Sequence, residues 1–469
     1  MLKNKDPSLY NEDLAPIPEK KRTWGAFEIF NVWSNDIQSL FGYTLAASLF
    51  ISFGLNGWTV FAAIMLAGLF VMWLVNLMGE PSVKYGIPFP VMARSSMGVR
   101  GANFPAVARG IVAIFWYGAQ TYFASTAVSL LISALAGGNG EAVMLGMSTI
   151  DWVSFLFVWA FQVYLFWKGI PWITKFLNFA GPFVYAVMIA LALTIWVKAG
   201  SGLTTEMGTI FEGTGEYVGT SFSAFVAIVG TMIAYFAAVV INYGDFSRNV
   251  KTQAAMKKGN LIGLPLNIAF FSLITLIVTS GTIAIWGEAV TSPTDIIAMV
   301  DSLPLTVVAA IMFFVATIGI NIVANFIPPA YDIANLMPSK IDFKLGGLIT
   351  SGFALIIGGL WVSTISQLGI FGFVNTLGAV LAPIYGIMMV DYYMLKKGKL
   401  NVEQLFSASE DGEYYYDNGW NKKAMIAFVV PAIFSVATVW VGSLAFLSGF
   451  SWVIGAALGG LVYYAITIK

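Results

Sequence analysis

The sequence has no cysteine and no histidine. Disulfides, thiolate chemistry, imidazole general bases and the usual zinc sites are excluded together. Charge is scarce as well. Only 10% of the residues are Asp, Glu, Lys or Arg, against roughly 25% in a soluble globular domain. A chain so poor in charge cannot cover a water-facing surface. Its net charge is zero, so nothing points to a nucleic-acid partner. What is there instead is apolar: 58% of the residues, with 15 Trp and 19 Tyr, ring types that anchor at the two headgroup layers of a bilayer. This is the composition of an all-α polytopic membrane protein with lipid around it. Residues 1–22 are polar and charged, so no cleavable signal peptide is expected.

A helix needs about 20 apolar residues to cross the hydrocarbon. Such runs predict twelve spans, at 26–52, 57–80, 101–134, 150–168, 172–197, 219–243, 260–287, 303–326, 345–365, 368–394, 423–444 and 448–467. The polar stretch 396–422 reads as a surface loop with room for a short interfacial helix. With the N-terminus in the cytoplasm, all but Lys198 of the 24 Lys and Arg residues fall on the inner side, as the positive-inside rule requires. An error of one span would scramble this split. Both termini are therefore expected in the cytoplasm, below a plasma (inner) membrane. Tails and loops are too short for a soluble domain, which argues against a receptor or a pump with a nucleotide domain.

Transporters hold substrate near the midplane, where helices are broken. The first span carries Ser34, Asn35, Asp36, Gln38 and Ser39 about halfway across. In hydrocarbon such side chains are costly unless they face a cavity. The sixth span, with Gly230, Thr231 and Tyr235, is the expected symmetry mate of the first, interrupted in the same way. Asp36 reads as the one carboxylate deep in a span. Either Asn35, Ser39 or a backbone nitrogen holds it by hydrogen bonds, or it is a proton- or cation-coupling site. Trp116 and Gln120 are i and i+4 in the third span and share one helix face. A flat ring beside an amide suits a planar heterocycle, although aromatic helix packing accounts for the same pattern. Asn321 and Asn325 in the eighth span are again i and i+4, fit either for an interhelical hydrogen bond or for a substrate amide.

The stretch Tyr85-Gly-Ile-Pro-Phe-Pro-Val-Met-Ala-Arg-Ser-Ser-Met-Gly-Val-Arg-Gly-Ala102 is specific. With Phe115-Trp-Tyr-Gly-Ala-Gln-Thr121, Asn321-Ile-Val-Ala-Asn-Phe-Ile-Pro-Pro-Ala330 and Tyr385-Gly-Ile-Met-Met-Val-Asp-Tyr-Tyr393, it resembles the nucleobase–cation symport-1 family from about residue 22 to the end. The resemblance implies a LeuT-like fold: two inverted five-helix repeats, here 26–197 and 198–395, then a cytoplasmic loop at 396–422 and two peripheral helices in 423–469, behind a tail at 1–25. It implies a monomeric secondary transporter for a small cyclic amide of uracil, hydantoin, allantoin or cytosine type, with no cofactor.

The resemblance also assigns positions. The stacking Trp falls on Trp116, its partner amide on Gln120, and the eighth-span amide on Asn325. The second stacking ring, usually Trp, aligns with Phe236, next to Tyr235. The polar first-span residue aligns with Ser39, and Gln38 is the alternative source of an amide. In sodium-coupled relatives, two first-span carbonyls, one eighth-span carbonyl and two hydroxyls hold the cation. Those positions are Asn35, Gln38 and Ala316 for the carbonyls, and Gly319 and Ile320 for the hydroxyls. Neither of the last two has a side-chain oxygen. This departure from the sodium-coupled pattern favours proton coupling, with Asp36 the carboxylate, or no tight coupling, over sodium.

Other functions fit less well. A B-vitamin ring is the nearest alternative cargo. An amino acid of the same fold class needs sites for a carboxylate and an ammonium, and the Trp116/Gln120 face offers neither charge. An intramembrane enzyme lacks His, Cys and a second carboxylate beside Asp36. A channel would repeat a short filter, and none is visible.

Overall fold

The structure, a computed structural model, describes residues 5–209 and 217–468. Among these residues, ten helices are long and apolar enough to cross a membrane, and two shorter apolar helices, Leu40–Ser52 and Phe343–Gly359, supply two further crossings. Span one is Ala26–Ile37 with Leu40–Ser52, span two Gly57–Tyr85, span three Asn103–Ala136, span four Thr149–Trp167, span five Ile170–Ala199 and span six Ser221–Asn242. Spans seven to twelve are Gln253–Trp286, Leu303–Leu336, Phe343–Gly359, Ile370–Leu395, Lys422–Trp440 and Ser451–Thr467. The even number of crossings returns both termini to one face, called here the terminal face. Spans two and seven run past their apolar runs on that face. There Lys257, on the extra turn of span seven, pairs with Glu80 at the end of the span-two run at 3.7 Å.

Span one breaks where its polar cluster predicts. Gln38 and Ser39 leave the helical region, Ser39 with φ −139° and ψ 162°. A helix end inside hydrocarbon must have its free N–H groups satisfied by protein. Here the Ser39 hydroxyl accepts the Gly42 N–H at 2.9 Å, and the Thr317 hydroxyl of span eight accepts the Leu40 N–H at 3.2 Å. Span eight does not break. Pro328 and Pro329 remove two backbone donors, and the helix widens into a π turn at Asn321–Phe326 before continuing as Ile327–Leu336.

Span six corrects the expectation of a second interruption. Ser221–Asn242 is one unbroken helix. Its Gly230 serves packing instead: a Cβ there would overlap the carbonyl oxygen of Gly449, in the turn Gly442–Phe450 between the last two spans. Since backbone lies opposite, the neighbour cannot yield by a rotamer change. Gly230→Ala is expected to cost about 1–3 kcal/mol through overpacking. A lowered melting temperature of the detergent-purified protein checks this, and an unchanged one would show that the turn moves freely.

The terminal face is closed by packed chain. Leu9 and Leu14 of the N-terminal segment are buried. Arg248 bonds the carbonyls of Asp13 (2.9 Å) and Ala15, and the Ile17 N–H donates to Gly86 O at 2.9 Å. The segment 396–422 is likewise more than a surface loop. Leu405, Phe406 and Tyr414 are buried, and Arg94 donates to Leu405 O at 3.0 Å. Its helical content is the single turn Gln404–Phe406. On the opposite face a small hairpin, Ala142–Met144 with Met147–Ser148, joins spans three and four.

Candidate substrate site

Span three runs beside the break in span one, and Trp116 and Gln120 turn inward from it, one helical turn apart. Span six brings Tyr235 and Phe236. The π turn of span eight brings Asn325, and such widened turns often mark functional positions. Together with Asp36 and Ile320, these side chains line one cavity of about 20 Å³. The cavity is lined mainly by apolar and aromatic groups with a few convergent polar ones, the usual make-up of a small-molecule site. Trp116 meets Phe41, Phe373 and Tyr235 edge to face, with centroids 4.9, 5.0 and 5.6 Å away. These contacts set the plane of the indole.

The two first-span candidates part company at the break. Ser39 stays at the edge of the site, where its hydroxyl accepts from Gln120 Nε2 at 3.4 Å. Gln38 turns away, and its Nε2 donates to Asn267 Oδ1 of span seven at 3.4 Å. It does not line the Trp116 cavity.

The cation positions are dispersed too. Gln38 and Ala316 border a separate cavity of about 10 Å³, together with Thr317. Ile320 faces the Trp116 cavity instead. Gly319 lies against Asn35, whose Oδ1 is 2.6 Å from where a Cβ on Gly319 would stand. The hydroxyl in this region belongs to Thr317, which already accepts the Leu40 N–H. Gly319 and Ile320 thus add no oxygen ligands, and the Asn35 side chain fills the space that a hydroxyl at 319 would take.

Asp36 shares its full burial with two other span carboxylates, which lie near the terminal-face ends of their helices. Asp332 in span eight and Asp391 in span ten are as fully buried. Asp332 lies beyond the run 303–326, so it escaped the sequence reading. Asp391 is paired with Lys396 at 2.5 Å and accepts from Tyr463 at 3.0 Å. A buried positive charge also lies within electrostatic reach of Asp36, although not in ion-pair contact with it. Arg109 of span three, fully buried, lies among Asp332, Asp245 and Asp36. Its Nε donates to Ala238 O (3.1 Å) and Asn242 Oδ1 (3.0 Å), and its Nη2 to Ala324 O (2.7 Å). This cluster lies between the cavity and the terminal face. Phe41, Phe373 and Arg109 were missed as site-forming residues, because apolar rings and one span-end arginine carry no local signal.

Toward the opposite face a vestibule of about 520 Å³ is lined by Tyr122, Phe123, Asp151, Asp295 and Trp361, among others. Phe41 stands between it and the site, touching Trp116 on one side and Phe123 (5.2 Å) and Trp361 (6.2 Å) on the other. The cavity is thus closed by aromatic rings on one side and by buried charges and packed chain on the other.

A family model described as permease for cytosine/purines, uracil, thiamine, allantoin matches residues 16–466. The chain belongs to this family, nucleobase–cation symport-1. An allantoin permease of Bacillus subtilis (strain 168) is 35% identical to this permease, over 98% of this chain and 93% of its own length. A purine-uracil permease of Arabidopsis thaliana is 31% identical, over 91% and 71%. Among solved structures, Mhp1, a nucleobase-cation-symport-1 family transporter in a closed conformation with bromovinylhydantoin bound, superposes with a TM-score of 0.80 at 22% identity. The match covers 97% of this chain and 94% of that one. The permease therefore has the LeuT-like fold that its motifs imply, and it is a multi-pass membrane transporter of small molecules, not an enzyme.

Proposed function

We propose that the permease imports a nucleobase or related cyclic amide, of uracil, hydantoin, allantoin or cytosine type, by alternating access. The observation that carries this reading is the convergence of the Trp116 ring with the Gln120 and Asn325 amides on one cavity. A ring stacks on an indole, while amides match the donors and acceptors on a ring edge. The 35% identical allantoin permease supports the same class. The charge distribution supports a terminal face in the cytoplasm.

The coupling ion in this reading is the proton. A hard cation needs oxygen ligands, and Gly319 and Ile320 offer none while Asn35 occupies the space beside Gly319. Asp36 lines the substrate cavity, and a carboxylate held inside a span is cheapest when protonated. The proton would enter with the substrate and leave on the terminal side.

Uptake into proteoliposomes tests both parts. With labelled uracil, hydantoin, allantoin and cytosine, at least one should accumulate when the outside is made acidic. A sodium gradient at equal pH on both sides should give no stimulation. Sodium-driven uptake at fixed pH would overturn the coupling, and a panel with no transported member would overturn the substrate class.

A further inference from the structure

Gln162 of span four is fully buried and lies one layer behind the site. It belongs to a hydrogen-bonded chain whose direction is fixed by backbone carbonyls, which can only accept. Gln162 Nε2 donates to Val158 O (3.4 Å) and to the Thr121 hydroxyl (3.1 Å). Thr121 commits its own proton to Tyr117 O at 2.7 Å. The other end of the Gln162 amide, Oε1, accepts from Asn321 Nδ2 at 2.7 Å. Asn321 Nδ2 also donates to Tyr117 O at 3.2 Å, which confirms which end of that amide is the nitrogen. Asn321 Oδ1 is then left to accept, and it does so from Asn325 Nδ2 at 3.1 Å. Asn325 spends one of its two N–H donors on this chain and lines the cavity, which fixes the nitrogen toward Asn321 and leaves Oδ1 as its acceptor for a ligand. Gln120 stands beside it with the same polarity. Its Nε2 points to Ser39, while its Oε1 is buried with no hydrogen-bond partner among the described residues.

We infer that Gln162 is a positioning residue which, through Asn321, makes Asn325 present its amide oxygen beside that of Gln120, so that the site selects rings with N–H donors on their edge. The inference rests on the cyclic-amide reading above and sharpens it. A cyclic ureide or imide, with N–H groups between carbonyls, satisfies two acceptors. A heteroaromatic edge of bare ring nitrogens opposes acceptor to acceptor and leaves buried oxygens unpaired, which is costly. Gln162 itself need not touch the ligand.

The test uses the full-length purified permease and equilibrium binding of uracil and hydantoin, each beside its 1-methyl and 3-methyl derivatives, with allantoin as a further parent ring. Wild type is expected to bind a parent ring and to lose at least about tenfold in affinity on methylation of one ring nitrogen, the loss of one buried hydrogen bond. In Gln162→Met, which keeps the volume but frees Asn321, the parent should bind more weakly and the parent-to-methyl ratio should fall to below about threefold. Thr121→Val, which removes the hydroxyl that accepts from both Gln162 Nε2 (3.1 Å) and Asn321 Nδ2 (3.1 Å), should compress the ratio in the same way if the first variant does not fold. A purely structural Gln162 would lower the melting temperature and leave the ratio unchanged, which would overturn its positioning role. Parent and methylated rings bound equally by wild type would overturn the donor-edge polarity while leaving the cyclic-amide reading intact. Failure of every parent ring to bind would overturn that reading, and this inference with it.

Discussion

Trp116→Ala should weaken binding of the transported ring by roughly 5- to 150-fold, because stacking of a nucleobase-like ring on an aromatic side chain is worth about 1–3 kcal/mol by alanine substitution. The indole is the one large flat surface of the cavity that is joined on the same helix face by an amide, Gln120. It also fills space among Phe41, Tyr235 and Phe373, and truncating a buried Trp can cost about 3–5 kcal/mol of stability on its own. Trp116→Phe separates the two effects. Phe keeps a ring for stacking, so binding should fall by less than tenfold while the melting temperature still drops. Equilibrium binding with a radiolabelled ring, read beside thermal stability, checks both. Equal affinity in wild type and Trp116→Ala would remove the indole from the site.

Arg109→Leu is expected to cost about 3–5 kcal/mol of stability, the usual penalty when one partner of a buried charge group is removed. The guanidinium satisfies Ala238 O, Asn242 Oδ1 and Ala324 O at once, linking spans three, six and eight. Asp332, Asp245 and Asp36 also lie within reach of its charge, beyond ion-pair distance. Leucine in its place leaves three buried carboxylates with less compensation. Adding Asp332→Asn removes one of them, so the double variant should recover part of the loss. Melting curves for both singles and the double form a cycle, and strict additivity would show that Arg109 and Asp332 do not interact.

The sequence was informative where physics is local. Apolar runs of span length, with Lys and Arg almost all on one side, made the crossings countable. The break in span one was legible because polar side chains from Ser34 to Ser39 have no place in a continuous lipid-facing helix. Span six was misread for the opposite reason. A helix glycine is equally a hinge or a place for close approach, and the contact that decides it, Gly449, lies far along the chain. Trp116 and Gln120 announced a shared face by spacing alone. Phe41 and Phe373 did not, since an apolar ring in an apolar span is unremarkable in one dimension. Gln162 was invisible in the same way: its meaning comes from Asn321 and Thr121 on two other spans. The burial of Leu405 and Phe406 was hidden by their polar neighbours, because Arg94 and the packed terminal face supply the cover.

A structure of the permease with the tightest-binding ring from the uracil, hydantoin and allantoin panel tests the central claim most directly. The account predicts the ring stacked on Trp116, with Gln120 and Asn325 at its edge and amide oxygens facing its N–H groups. A ring held instead in the vestibule by Tyr122 and Trp361, or one whose edge meets neither amide, would contradict it.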